Sequence, residues 1–207
     1  MTKRLIAGYL LLVVVLLSSC DALDVFDNGV KFTEPSEVAT LEAILEKNID
    51  PEDKITHIQF KKGPQDQSNF SFDKGTIEVY YLDPENAKQE KVYLIDIKKG
   101  ESYVDEWAEK HSRTIYSKNI KSCADVKAST LGCNRIAEFV NAAIEVMAAE
   151  NIKANGLGLY TIYPNSDSTQ VRHEFSIEHI TGGGERVTNY TEYSFKVSLK
   201  DGELQYK

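Results

Sequence analysis

Near its C-terminus the chain reads YSFKVSLKDGELQYK, with Tyr193, Phe195, Val197 and Leu199 alternating with Ser194, Lys196, Ser198 and Lys200. Successive side chains of a strand point to opposite faces, so this segment buries one face and leaves the other in water. Strands of a parallel sheet are covered on both faces and read as continuous apolar runs. The alternation therefore commits this region to an antiparallel sheet, and Asp201-Gly202 is a strong hairpin signal that returns ELQYK as a last strand. A helix or a second sheet must cover the apolar face.

The helix is present upstream. Ile136, Phe139, Val140, Ala143, Ile144 and Met147 follow one broad apolar stripe, and Asn155 and Gly156 mark its exit. Between this helix and the tail lie GLYTIYP, QVRHEFSIEHI and ERVTNYTEYSFKVSL, rich in β-branched and aromatic residues, with a turn at Gly182 to Gly184. The first half repeats the order. FTEPSEVATLEAILEKN predicts a helix over 35–48, with Thr33 or Ser36 as cap and Val38, Leu41, Ile44 and Leu45 facing inward. ITHIQF, GTIEVYYLD and EKVYLIDIK follow as strands, with DPENAKQE (83–90) as a hairpin loop, and YVDEWAEKH (103–111) predicts one short helix.

The expected fold class is α+β: an amphipathic helix followed by antiparallel strands, occurring twice, with about seven strands in one continuous sheet or two packed sheets. The order loosely resembles the tandem helix-plus-sheet repeats of small envelope proteins of the PepSY-like and β-lactamase-inhibitor-like kind. That resemblance implies an architecture and no activity.

The N-terminus says where such a chain would live. Lys3 and Arg4 precede an uncharged, mainly aliphatic run from Leu5 to Leu17. At about 1.5 Å per residue this run reaches about 20 Å as a helix, short of the roughly 30 Å hydrocarbon core. It has the length of a signal-peptide apolar region. Leu17, Ser18, Ser19 and Cys20 resemble the lipobox of bacterial lipoproteins. The resemblance implies diacylglycerol on the Cys20 thiol, cleavage before Cys20 and acylation of the new amino terminus. Several acyl chains give stable anchoring where one is marginal.

The expected organisation is a signal peptide over 1–19, a lipidated flexible tether over 20–34, a first helix-plus-strands half over 35–112, a connecting segment over 113–133 and a second half over 134–207. The expected location is a membrane of the bacterial envelope, the outer membrane before the inner, with the domain on its periplasmic or surface face. Removing Lys3 and Arg4 from the count leaves 22 basic against 32 acidic residues, a net charge of −10. So acidic a body lacks the basic face that nucleic acid requires.

Cys123 and Cys133 remain, in SCADVKASTLGC. A disulfide is expected between them, closing a loop of about ten residues and contributing on the order of 3 kcal/mol; two free thiols are the alternative. No histidine accompanies them, so they do not form a zinc pattern.

Catalytic motifs are absent from the sequence. RHEFSIEH does not fit HExxH: on a strand His173 and His179 share a face about 20 Å apart, with Glu174 and Glu178 opposite them. His57 and His111 stand isolated and read as surface or edge residues. No cofactor or metal pattern is present. The chain holds 11 tyrosines, and Tyr80, Tyr93, Tyr160 and Tyr190 are the candidate recognition surface, since tyrosine offers flat area with a polar tip. The function expected is a lipid-anchored binding or assembly module without evident catalysis, its partner an envelope protein, a peptide or a glycan. The alternatives are an envelope hydrolase whose residues are scattered in sequence, and a protein inhibitor.

Overall fold

The computed structural model describes residues 29–63, 69–72, 75–103, 113–114, 122–184 and 187–206. Cys20 and its neighbours, His111 and the helix expected over 103–111 (apart from Tyr103) lie outside the described residues.

The first helix, α1 (Pro35–Asn48), has the expected bounds and buries Val38, Leu41, Ile44 and Leu45. Its start differs in chemistry. Glu34 is the N-cap and makes no side-chain capping bond, while Pro35 supplies a pre-set φ at the first turn. Glu37 reaches back instead, accepting from Lys31 N–H at 2.7 Å. The second helix, α2 (Ile136–Ala149), buries Ile136, Ala137, Phe139, Val140, Ala143 and Met147. It ends earlier than expected, because Asn151 takes a left-handed conformation (φ 60°) and Ile152 N–H donates to Met147 O at 2.9 Å.

The strands are β1 (Val30–Lys31), β2 (Ile55–Lys61), β3 (Ser71–Phe72), β4 (Thr76–Asp83), β5 (Asn86–Asp96), β6 (Glu101–Tyr103), β7 (Arg113–Thr114), β8 (Gly156–Tyr163), β9 (Arg172–Gly184), β10 (Val187–Ser198) and β11 (Leu204–Tyr206). The chain is α+β. One continuous antiparallel sheet runs in the order β11-β10-β9-β8-β2-β4-β5-β6, with β7 also pairing β5, and β1 and β3 form a separate pair. Near the middle of this sheet β2 and β8 pair at Ile58–Ile162. The loop expected over 83–90 is tighter than that, since Asp83 already pairs with Asn86.

The helices cover the face that carries Ile58, Phe60, Ile77, Val79, Tyr160, Ile162, Phe175 and Phe195. A single apolar cluster joins these residues to both helices. Phe139 of α2 packs edge-on against His173 at 5.3 Å, and Asn48 at the end of α1 bonds Gly100 O and Ser102 N beside β6.

Two expectations are corrected here. The tether does not extend to residue 34: Val30 and Phe32 are fully buried, and the Phe32 ring meets Phe72 at 4.5 Å and Phe60 at 5.8 Å. Burying each such side chain stabilises the fold by roughly 1.5–3 kcal/mol, which fixes the segment to the body. Cys123 and Cys133 are free, buried cysteines and form no disulfide. Cys123 exchanges main-chain hydrogen bonds with Ile55 at 2.8 and 2.9 Å, while Cys133 starts the 3-10 turn that leads into α2. The segment between them is held by packing, with Val126, Ala128 and Leu131 in the core. Burial, with Glu42 nearby, pushes the Cys133 thiol up to about 12.

Candidate functional site

On the sheet face turned away from the helices, a row of side chains crosses four neighbouring strands. Tyr80 of β4 is the register partner of His57 of β2, and Tyr163 of β8 is that of Arg172 of β9. Since Ile58 pairs with Ile162, the adjoining position brings His57 beside Tyr163. The His57 ring stacks on Tyr80 with centroids 4.1 Å apart and planes 11° apart, and on Tyr163 at 5.9 Å and 28°. The Arg172 guanidinium lies 4.5 Å from the Tyr163 centroid. Each contact of this kind contributes roughly 0.5–1.5 kcal/mol, so the row holds itself in place. Because the faces of the stacked rings are spent on one another, the row presents ring edges and polar tips.

A β-bulge makes the arrangement possible. Register shifts between Ile55 and His57, and Thr56, the extra residue, is buried with its hydroxyl against the Glu90 carboxylate and 3.2 Å from Tyr80 O. With Glu90 ionised both partners are acceptors, so the one Thr56 hydrogen is spent on them. Toward His57 Nδ1, 3.1 Å away, Thr56 Oγ1 can only accept. Nδ1 therefore carries the hydrogen, with Glu90 Oε1 3.5 Å from it. In the neutral ring Nε2 is then a bare lone pair, and it has no hydrogen-bond partner among the described residues.

Arg172, Tyr163 and His57 of this row line an open cleft of about 800 Å³, together with Glu90, Asn165, Gln170 and Lys200, while Tyr80 backs the His57 ring from outside it. Gln170 closes a short 3-10 turn that starts after Asp167. Asp167 accepts from Thr169 N at 3.0 Å, Thr169 Oγ1 at 2.7 Å and Gln170 Nε2 at 3.0 Å, and these bonds, Thr169's first, hold its carboxyl below the usual range. Glu174, two residues after Arg172 and on the same face of β9, receives Arg172 Nε at 2.9 Å and Lys196 Nζ at 2.8 Å. Burial, then Glu174, raises the Tyr163 hydroxyl.

The tyrosines singled out from the sequence do not share a surface. Tyr80 joins the row and donates its hydroxyl to Glu78 Oε2 at 2.6 Å. Tyr93 lies on the helix-covered face with its ring 5.7 Å from Tyr81, and burial, with Asp53 nearby, raises its hydroxyl. Tyr160 is a core residue with no exposed surface, so its place in a recognition surface is withdrawn: it faces inward with Phe60 and Phe175, its register partners. Tyr190 stands apart on β10 at 53% exposure.

The RHEFSIEH cluster is dispersed over β9 as its alternation requires. His173 is fully buried; its Nε2 lies 2.9 Å from Leu131 O and its Nδ1 2.8 Å from Tyr160 Oη. A carbonyl only accepts, so Nε2 bears the hydrogen and Nδ1 accepts from the tyrosine. Burial pushes this ring down to about 4. Sequence reading missed His57, Glu90, Tyr163 and Arg172, because the register of four strands, rather than spacing along the chain, brings them together. Among the described residues no group of three or more His, Cys, Asp or Glu could hold a metal ion.

No protein-family model matches this chain, and neither the curated proteins nor the solved structures give a significant match.

Proposed function

We propose that this chain is a lipid-anchored recognition module of a bacterial cell envelope, with the cleft lined by Arg172, Tyr163 and His57 as its ligand site. The observation that carries the site is the mutually stacked Arg172, Tyr163 and His57, which line a cleft of ligand size, about 800 Å³. The lipobox Leu17–Cys20 and the short apolar run before it support the anchor. Metabolic labelling with a palmitate analogue tests it. Wild type should label and Cys20→Ala should not; equal labelling sinks the anchor. For the site, thermal shift of the chain against envelope sugars and peptides should find a ligand that raises Tm, with the shift lost in Tyr163→Ala.

One observation favours a second reading, an envelope hydrolase. His57 Nδ1 is held against Thr56 and Glu90 while Nε2 is unoccupied among the described residues, the geometry a general base uses to take a proton from water. Hydrolysis of an ester or glycoside panel, abolished by His57→Gln, would move the assignment from binding to catalysis.

The tandem organisation belongs to the same proposal. The strand order, with β11 to β8 on one side and β2 to β6 on the other, supports two helix-plus-meander units joined at their first long strands.

A further inference from the structure

We infer that the cleft takes an oxyanion: a small solute whose carboxylate or phosphate is held by Arg172 and Lys200 along the Tyr163 edge. This rests on the reading that the cleft is a ligand site, and it names what the site holds. Glu90, which lines the cleft, and Glu174 and Asp167 beyond its lining already have protein donors. Glu90 has Thr56, Glu174 has Arg172 Nε and Lys196, and Asp167 has Thr169 and Gln170.

Against one unpaired acceptor, the His57 Nε2 lone pair, the donors are in surplus. Arg172 uses only Nε on Glu174 and its ring face on Tyr163, which leaves both terminal guanidinium nitrogens without a hydrogen bond among the described residues. Lys200 has no ion pair there, its charge reaching Asp167 only at longer range, and the Tyr163 hydroxyl has no hydrogen bond. Arginine's planar fork matches the two oxygens of a carboxylate or phosphate, and charge-assisted bonds of this type are about twice as strong as neutral ones. General basicity does not explain the surplus, since the chain carries a net charge of −8. A neutral sugar would want exposed ring faces to stack on, and here the faces are spent within the row.

Calorimetric titration of the full chain in neutral detergent tests this, with glucuronate, inorganic phosphate and glucose as probes at constant ionic strength. Glucuronate or phosphate should bind, and whichever binds identifies the oxyanion's source. Arg172→Gln and Lys200→Gln should each weaken that binding by at least about tenfold, with circular dichroism confirming the fold. Lys47→Gln, exposed on α1, should leave it unchanged. If glucose binds as tightly as glucuronate and Arg172→Gln changes neither, the cleft remains a ligand site and the oxyanion is overturned. If neither anion binds, the oxyanion is likewise overturned.

Discussion

His173 and His57 stand on the same sheet, two strands apart, each beside a tyrosine, and the surroundings make them opposites. His173 faces the helices with both nitrogens spent, one on Leu131 O and one on the Tyr160 hydroxyl. His57 faces the other way with Nδ1 spent on Thr56 and Glu90, and Nε2 has no partner among the described residues. A fully satisfied ring fixes a core, while a ring held at one nitrogen is oriented and still available. The same contrast separates Tyr160, whose hydroxyl is committed to His173, from Tyr163, whose hydroxyl is not.

The largest expected effect breaks the inner arrangement. Tyr160→Ala removes a fully buried ring and leaves His173 Nδ1 without its donor, so urea unfolding should show a loss of about 3–5 kcal/mol. Tyr163→Ala, on the outer row, should cost about 1 kcal/mol in the same assay while abolishing ligand binding. Equal costs would erase the distinction between the faces.

Acid should act on the inner ring next. Unfolded, His173 takes a proton at about 6.5; folded, it resists until about 4. Between these values the unfolded chain binds more protons, so stability from this ring is complete above about 6.5 and falls as pH drops toward about 4, by about 3 kcal/mol. Urea midpoints measured from pH 7 to 4 should follow that slope, and His173→Gln should flatten it.

The cysteines give the third test, in rate. In a Cys20→Ala chain at pH 8, a thiol reagent should leave Cys133 unlabelled in the native state, because burial pushes it up to about 12. Both Cys123 and Cys133 should label once the chain is unfolded without reductant; two thiols that stay unreactive would restore the disulfide. The smallest effect is expected at Tyr190, where Tyr190→Ser should change stability by less than about 0.5 kcal/mol and leave cleft binding intact, since it lies outside the row.

Periodicity made much of this fold legible. The stripe Val38, Leu41, Ile44 and Leu45 set α1, and the alternation through Tyr193 to Leu199 set β10 and, with Asp201-Gly202, its hairpin to β11. The faces of the tyrosines were not legible, because bulges such as that between Leu157 and Tyr160 shift the alternation locally. The site was less legible still. His57 and Glu90 meet only through the pairing of β2 with β4 and β4 with β5, and the bulge that turns Thr56 onto Glu90 leaves no mark in ITHIQF. Buried Val30 and Phe32 were hidden by their acidic, turn-rich surroundings.

Long-range nitrogen–proton spectra of the histidine rings, with the chain labelled with 15N-histidine and recorded with and without the bound oxyanion, separate a committed His173 from an available His57. The neutral His173 ring should appear with its hydrogen on Nε2 and stay unmoved by ligand, while His57 should carry its hydrogen on Nδ1 and have its Nε2 signal shift on binding. A His57 ring protonated at Nε2 alone and indifferent to ligand, or a His173 ring that responds in its place, would contradict that separation.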